Sequence, residues 1–156
     1  MNSGKRFEQN FKNSVPSNAF YYRFRDGTAG RDKGENVRFQ ASNMCDCMIF
    51  RNGKLILAEL KSHKGKSIPL SAFRENQIRQ LKESDKFINV CPYIIVHFQD
   101  IEECYALDIC HYEHFVESQE RKSIPISFFR ENGIRIDGQK KKVNTLYYLD
   151  SFISKA

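Results

Sequence analysis

The chain has 156 residues, of which 40% are hydrophobic and 28% are charged, with 13 Phe and 7 Tyr. This composition is typical of a globular protein with a packed core and excludes a disordered or fibrous chain. Twenty-five Lys and Arg against 19 Asp and Glu give a net charge of +6, which favours a polyanionic partner such as nucleic acid or an acidic membrane.

The chain contains no run of about 18 apolar residues, and its first residues, MNSGKRFEQNFKNS, lack the apolar stretch of a signal peptide. Its length is that of one ordinary domain, so we expect a single unit over residues 1–156. These features predict a soluble protein of the cytoplasm with no membrane association.

The cysteines indicate a reducing compartment. They are odd in number and scattered, unlike a disulfide framework, and stand at positions 45, 47, 91, 104 and 110. Cys104, Cys110, His111 and His114 come near the spacing of zinc ligands, but no CxxC pair accompanies them. A strand end followed by a short helix is therefore the preferred interpretation of this stretch.

The N-terminal part predicts a helix, a strand and a loop. A periodic apolar stripe indicates a helix over residues 4–15 that ends at Pro16. Residues 19–25 (AFYYRFR) are typical of a strand. The charged, Gly-rich stretch that follows predicts a mobile loop over residues 26–38.

The strongest local pattern is a β-hairpin. Residues 45–50 and 55–61 are strand-like and flank Arg51-Asn52-Gly53-Lys54, in which Asn-Gly is the preferred pair for a type I′ turn. Later elements are, in chain order, a helix over 71–87 with Ser71 as its N-cap, a strand over 90–98, its antiparallel neighbour over 104–109 and a short helix over 110–120. From Ser127 onward only short apolar pieces are visible. This order predicts an α/β domain with a mixed central β-sheet flanked by helices.

One segment occurs twice. KSIPLSAFRENQIR (66–79) and KSIPISFFRENGIR (122–135) agree at 11 of 14 positions. Two copies are too few for a solenoid, which needs at least about three stacked units. We interpret them as two similar entries from a loop into a regular element, and the sequence supplies no physical reason for their close match.

The hairpin brings two acids together. With Asn52 and Gly53 as the turn, counting back along both strands places Asp46 opposite Glu59. Directly opposed residues have Cβ atoms about 5 Å apart, so the two negative charges repel. Period-two alternation also puts both acids and Lys61 on the apolar face of the hairpin. A divalent cation would remove the free-energy cost of burying two repelling carboxylates by accepting oxygen ligands from both. Mg²⁺ suits carboxylates better than Zn²⁺.

Lys61 can reach the same space without being a metal ligand. Its natural use is to stabilise or orient an attacking water or a phosphate oxygen. Ordinary surface charges on an exposed hairpin are the alternative explanation, and a one-residue slip in register would separate the acids.

An Asp on one strand and Glu-x-Lys on the next, here Asp46 and Glu59-Leu60-Lys61, resemble the signature of the PD-(D/E)xK nuclease superfamily. Further motifs resemble the RecU-type Holliday-junction resolvases. These are, in chain order, GxxFE (Gly4 to Glu8), QAS (Gln40 to Ser42), SxPL (Ser67 to Leu70) and the helical Gln77.

This resemblance implies a restriction-endonuclease-like core and a homodimeric, Mg²⁺-dependent endonuclease that cuts four-way DNA junctions symmetrically in recombination and repair, with Mn²⁺ able to substitute. It assigns catalytic roles to Glu8, Asp46, Glu59, Lys61 and Gln77, and metal binding to Asp46, Glu59 and Leu60. A helix-surface acid is the alternative for Glu8, and a solvated or helix-packing amide is the alternative for Gln77. The small size also suits a phage-encoded protein acting in a bacterial cytoplasm.

The family carries a longer projecting stalk where this chain has the short loop 26–38. Basic residues interleaved with aromatics in this region, and two lysines just past the hairpin, would give sequence-independent contacts to phosphates. They are Arg23, Arg25, Arg31, Lys33, Arg38, Lys64 and Lys66. A charged solvated loop is the competing explanation.

Two other functions remain open at this point. The chain could be a nuclease of the same superfamily that acts on other branched, nicked or linear DNA. It could also be a non-catalytic junction-binding protein, which the intact trio of two acids and a lysine disfavours.

Overall fold

The computed structural model describes residues 2–24 and 43–156, which form five α-helices and ten strands. The helices are α1 (Ser3–Asn13), α2 (Glu75–Ser84), α3 (Ile109–Ser118), α4 (Ile126–Asn132) and α5 (Leu149–Lys155). The strands are β1 (Phe20–Arg23), β2 (Cys47–Arg51), β3 (Lys54–His63), β4 (Ser67–Pro69), β5 (Val90–Phe98), β6 (Glu103–Asp108), β7 (Ser123–Pro125), β8 (Ile134–Arg135), β9 (Gly138–Lys141) and β10 (Asn144–Tyr147).

A six-stranded mixed sheet forms the centre of the molecule, in the order β1-β2-β3-β5-β6-β8. The pair β3 and β5 is parallel and the other neighbouring pairs are antiparallel. Helices α1 and α5 pack on one face of the sheet, and α2, α3 and α4 pack on the other. Covering on both faces explains why β3 and β5 are almost continuously apolar. The predicted mixed sheet flanked by helices is confirmed.

Several local predictions are also confirmed. The hairpin, the strand over 90–98 and its antiparallel neighbour are present, and α3 follows that neighbour directly. Cys104 is buried in β6 and Cys110 is exposed on α3, as the strand-then-helix interpretation requires. All five cysteines are free thiols. None of the helices in the described part of the chain has the length and apolar character needed to cross a bilayer.

The predicted start of the second helix is wrong. Ser71 does not cap α2, because Leu70–Ala72 forms a separate 3₁₀ turn and the N-cap of α2 is Arg74. Phe73 between them is extended (φ −104°, ψ 129°) and its side chain is buried. Burial of this ring in the core interrupts the helix that the local pattern predicts, so α2 begins at Glu75.

The repeated segments pair with each other. Strand β4 lies antiparallel to β7, with Ile68 directly opposite Ile124. The flanking hydrogen bonds are equivalent: Leu70 N–H donates to the Lys122 carbonyl and Ile126 N–H donates to the Lys66 carbonyl, both at 2.9 Å. The two short strands are therefore related by a local twofold axis. This pairing accounts for the shared SIP of the two copies, while the shared FREN lies outside the paired strands.

Beyond the paired strands, the copies diverge at Gln77 and its counterpart Gly133. Gln77 lies on α2, whereas Gly133 follows the last turn of α4. A Cβ atom at position 133 would lie 2.6 Å from the Phe129 carbonyl oxygen and 3.2 Å from that of Ala106. The second copy therefore needs glycine at this position, while the first copy is free to carry a functional side chain.

Ile68→Ala should destabilise the protein by about 2–5 kcal/mol, because Ile68 is 1% exposed and its removal leaves a cavity beside Ile124. Denaturant unfolding would measure this change. The matched control is Ile88→Ala, at a residue that is 91% exposed, and should change stability by less than about 0.5 kcal/mol. Equal unfolding midpoints for the two variants would contradict a structural role for the paired repeat.

Candidate active site

The turn of the hairpin sets its register. Asn52 (φ 52°) and Gly53 (φ 78°) both lie in the left-handed region, as a type I′ turn requires. Arg51 then pairs with Lys54, and the ladder continues to Cys47 opposite Ala58. One step further, Asp46 N–H donates to the Ala58 carbonyl (3.1 Å), so Asp46 and Cys47 both lie against Ala58 and the regular pairing ends at Cys47.

Glu59 faces the side of the sheet covered by α2. Met48 and Leu57 lie on this face, while their neighbours in sequence lie on the other. Both pack in the core cluster that contains Leu81 of α2. Glu59 shares this face with Leu57, and its side chain meets Gln77 of α2. The Glu59 carboxylate therefore lies at the end of an apolar stripe, with α2 over it.

The backbone holds the carboxylate of Asp46. Its Oδ2 accepts the Leu60 N–H at 2.7 Å, so the side chain folds back across β3. The Leu60 side chain lies in the core on the opposite face of the sheet. Leu60 therefore contributes its backbone to the site and not its side chain.

Glu59 is a buried carboxylate with two partners. It is 1% exposed, its Oε1 lies 2.8 Å from Lys61 Nζ, and its Oε2 accepts a 2.9 Å hydrogen bond from Gln77 Nε2. Burial and the neighbouring Asp46 raise the pKa of Glu59 to about 7, while Lys61 opposes the shift. The Lys61 ammonium thus supplies the positive charge that this pair of acids requires.

Gln77 offers a further oxygen ligand. It is 5% exposed, and its Oε1 has no hydrogen-bond partner among residues 2–24 and 43–156. A buried acceptor without a partner is costly unless a ligand or water satisfies it. Carboxylate and amide oxygens are the donors that hard divalent cations prefer, so Asp46, Glu59 and Gln77 fit Mg²⁺ better than Zn²⁺.

Glu8 belongs to α1, which packs on the face of the sheet opposite α2. It projects from α1 and forms an ion pair with Arg23 of β1. Arg23 is paired with Cys47, and the next residue, Phe24, donates its N–H to the Asp46 carbonyl at 2.9 Å. Glu8 is therefore linked through Arg23 and Phe24 of the same segment to the backbone of Asp46.

The predicted DNA-binding residues fall into two groups. Lys64 and Lys66 are exposed in the connection that follows β3, and Arg23 is the partner of Glu8. The remaining predicted contacts lie outside the described residues, and they are Arg25, Arg31, Lys33 and Arg38.

Sequence reasoning did not anticipate a second group of possible metal ligands. Asp85, Asp108 and Cys110 have ligand atoms within 4.8 Å of one another at the start of α3. The Cys110 thiol donates to Asp85 Oδ2 at 3.0 Å, and this hydrogen bond raises the pKa of the thiol to about 12. In this structure the three side chains are linked by a thiol–carboxylate hydrogen bond.

A mixed sheet flanked by helices, with Asp46 and Glu59-Leu60-Lys61 on its hairpin, defines the class of the protein as restriction-endonuclease-like. The chain belongs to the RecU family, described as Recombination protein U, whose family model matches residues 17–152.

Relatives of the chain include both phage-derived and bacterial proteins. It is 32% identical over 166 residues to the SPbeta prophage-derived uncharacterized protein YotM of Bacillus subtilis (strain 168), covering 96% of this chain and 84% of that one. It is 36% identical over 76 residues to the Holliday junction resolvase RecU of Pediococcus pentosaceus, covering 47% and 37% of the two chains. The match to the Streptococcus oralis Holliday junction resolvase RecU is 28% over 111 residues, covering 69% and 54%. The alignments thus span about a third to a half of these resolvases.

The fold is similar to that of Archaeoglobus fulgidus Hjc, a Holliday junction resolvase from an archaeal hyperthermophile. The TM-score is 0.53 at 14% identity, and the match covers 85% of this chain and 95% of the archaeal one. At this identity the likeness concerns the fold, and it confirms the predicted restriction-endonuclease-like core.

Proposed function

We propose that this protein is a Mg²⁺-dependent endodeoxyribonuclease that resolves four-way DNA junctions by paired phosphodiester hydrolysis. The observation that carries the proposal is the buried Glu59, which contacts both Lys61 and Gln77 and lies close enough to Asp46 for that carboxylate to raise its pKa. Membership of the RecU family supports the junction as substrate. The prophage origin of one relative supports action in a bacterial cytoplasm or a phage-infected host.

Each member of the site has a separate task in this proposal. A bound Mg²⁺ supplies Lewis-acid stabilisation of phosphoryl oxygen and lowers the pKa of a nearby water. Asp46 and Glu59 would hold the ion, with the Leu60 N–H orienting Asp46. Lys61 would donate to the oxygen on which negative charge develops. Water adds to phosphorus, the bond to the 3′ oxygen breaks, and the products carry a 5′ phosphate and a 3′ hydroxyl.

Two symmetric cuts require two active sites, so we propose a homodimer. A twofold axis between subunits matches the twofold symmetry of the junction itself. Exposed Lys64 and Lys66 lie just beyond the strand that carries Glu59 and Lys61, where they would contact backbone phosphates.

The test is cleavage of a labelled four-way junction against a linear duplex of the same sequence. We expect Mg²⁺ or Mn²⁺ to support paired cuts in the junction arms, EDTA to prevent them, and the duplex to remain intact. Equal cutting of nicked, flapped or linear DNA would instead favour the broader nuclease function. Binding without cutting at any Mg²⁺ or Mn²⁺ concentration would overturn the enzymatic proposal.

Gln77→Ala should lower the metal affinity and the cleavage rate by about 10–100-fold, the usual effect of losing a group that orients a metal ligand. The physical reason is that Glu59 Oε2 loses its 2.9 Å donor and becomes free to reorient. Titration of cleavage rate against Mg²⁺ concentration measures the change. Gln80→Ala on the same helix is the control, and matching Mg²⁺ curves for both variants would remove Gln77 from the site.

A further inference from the structure

Arg74 stands next to the site without a described protein partner. It is the N-cap residue of α2, and its carbonyl accepts the N–H of Gln77 at 3.0 Å. Its side chain is exposed and forms no ion pair with any residue in the described ranges 2–24 and 43–156. Gln77 contacts Glu59 and lies in the first turn of α2. Arg74, at the start of the same turn, is therefore close to Glu59.

The positive charge of Arg74 acts on the carboxylate of Glu59. Its guanidinium lowers the pKa of Glu59, against the larger effects of burial and of Asp46. Arg74 is therefore within electrostatic reach of the buried carboxylate. The same position is open to a polyanion in solution.

The second copy of the repeat shows what this arginine does when it has a structural role. Arg130 occupies the equivalent place in FREN, and its Nε and a terminal nitrogen bind Glu103 at 3.0 and 2.9 Å. Arg130 thus uses the planar fork of guanidinium for a carboxylate within the protein. Arg74 has the same fork and the same neighbouring sequence, but its fork faces solvent beside the active site.

We infer that Arg74 binds a backbone phosphate of the DNA strand in the active site, next to the bond that is cut. This inference rests on the proposed function and adds a residue that the sequence analysis did not select. A guanidinium fork matches two phosphate oxygens, so the contact would position the strand over Asp46 and Glu59 without reading bases.

The experiment is equilibrium binding of the full chain to a four-way junction and to a duplex, in Ca²⁺, at several salt concentrations. One phosphate contact contributes about one unit to the slope of log Kd against log salt concentration. The control is Arg79→Ala, which removes the same charge from the same helix. Arg79 lies about 200° around the helix from Gln77, on the side away from the cluster.

We expect Arg74→Ala to bind about tenfold more weakly and to lose about one unit of slope, while Arg79→Ala keeps the wild-type slope. Arg74→Lys should recover the slope, because it restores the charge. Unchanged thermal unfolding of Arg74→Ala would exclude misfolding as the cause. Identical slopes for Arg74→Ala and Arg79→Ala would overturn the inference. This readout needs no cleavage, so a wild-type protein that binds DNA but cuts no junction would defeat only the proposed function.

Discussion

Asp46→Ala should reduce cleavage of a four-way junction by about three to four orders of magnitude, measured under single-turnover conditions. The variant removes one of two carboxylates that would hold the metal, and a loss of about 4–5 kcal/mol of charge stabilisation corresponds to this factor. The turn at Asn52-Gly53 and the ladder from Arg51 back to Cys47 do not use its carboxylate, so the hairpin should still fold.

The matched control is Glu83→Ala, which removes an exposed acid of α2 that pairs with Lys86. This control should cleave at the wild-type rate. Asp46→Ala should also bind Mn²⁺ more weakly in a calorimetric titration, while its affinity for the junction remains. Normal cutting by Asp46→Ala would show that the proposed mechanism is wrong.

Lys61→Ala should reduce the single-turnover rate by about two to three orders of magnitude, the usual effect of removing one donor aimed at developing negative charge. Its effect on the metal should be opposite to that of Asp46→Ala. In the structure the ammonium lies 2.8 Å from Glu59 Oε1, where it competes with a divalent ion for the same oxygen. We therefore expect Lys61→Ala to bind Mn²⁺ at least as tightly as the wild type.

Loss of the ammonium also leaves the buried Glu59 facing Asp46 with less compensation. Lys61→Ala should therefore unfold at a lower temperature than the wild type in EDTA, and added Mg²⁺ should narrow the difference. Lys86→Ala, which removes an exposed lysine, is the control for net charge. A Lys61→Ala variant that loses Mn²⁺ binding as Asp46→Ala does would contradict the separate roles assigned to the two residues.

The hairpin was predictable because its information is local. Asn52 and Gly53 adopt the positive φ angles that few other residue pairs tolerate, and the turn then sets every pairing back to Cys47 and Ala58. Counting fails one residue earlier, because Asp46 donates to the Ala58 carbonyl and departs from the regular ladder. A helical or strand period over several residues likewise located α1, β5 and β6.

The second helix and the C-terminal part were less predictable. Ser71 has the chemistry of an N-cap, but burial of Phe73 in the core breaks the helix before Arg74. The tail after Ser127 contains a two-residue strand, β8, which exists through its pairing with β6. Such short elements gain their free energy from distant contacts, so local propensity carries little information about them.

By itself, the sequence determined the register of the hairpin from the turn back to Cys47 and Ala58, because turn chemistry and the two-residue period act over a few bonds. Only the tertiary structure decided that Gln77 reaches Glu59 and that the two repeated segments pair with each other. Those contacts join residues far apart in the chain. Their geometry depends on how the helices pack on the sheet, since burial acts on the assembled layers and not on a local pattern.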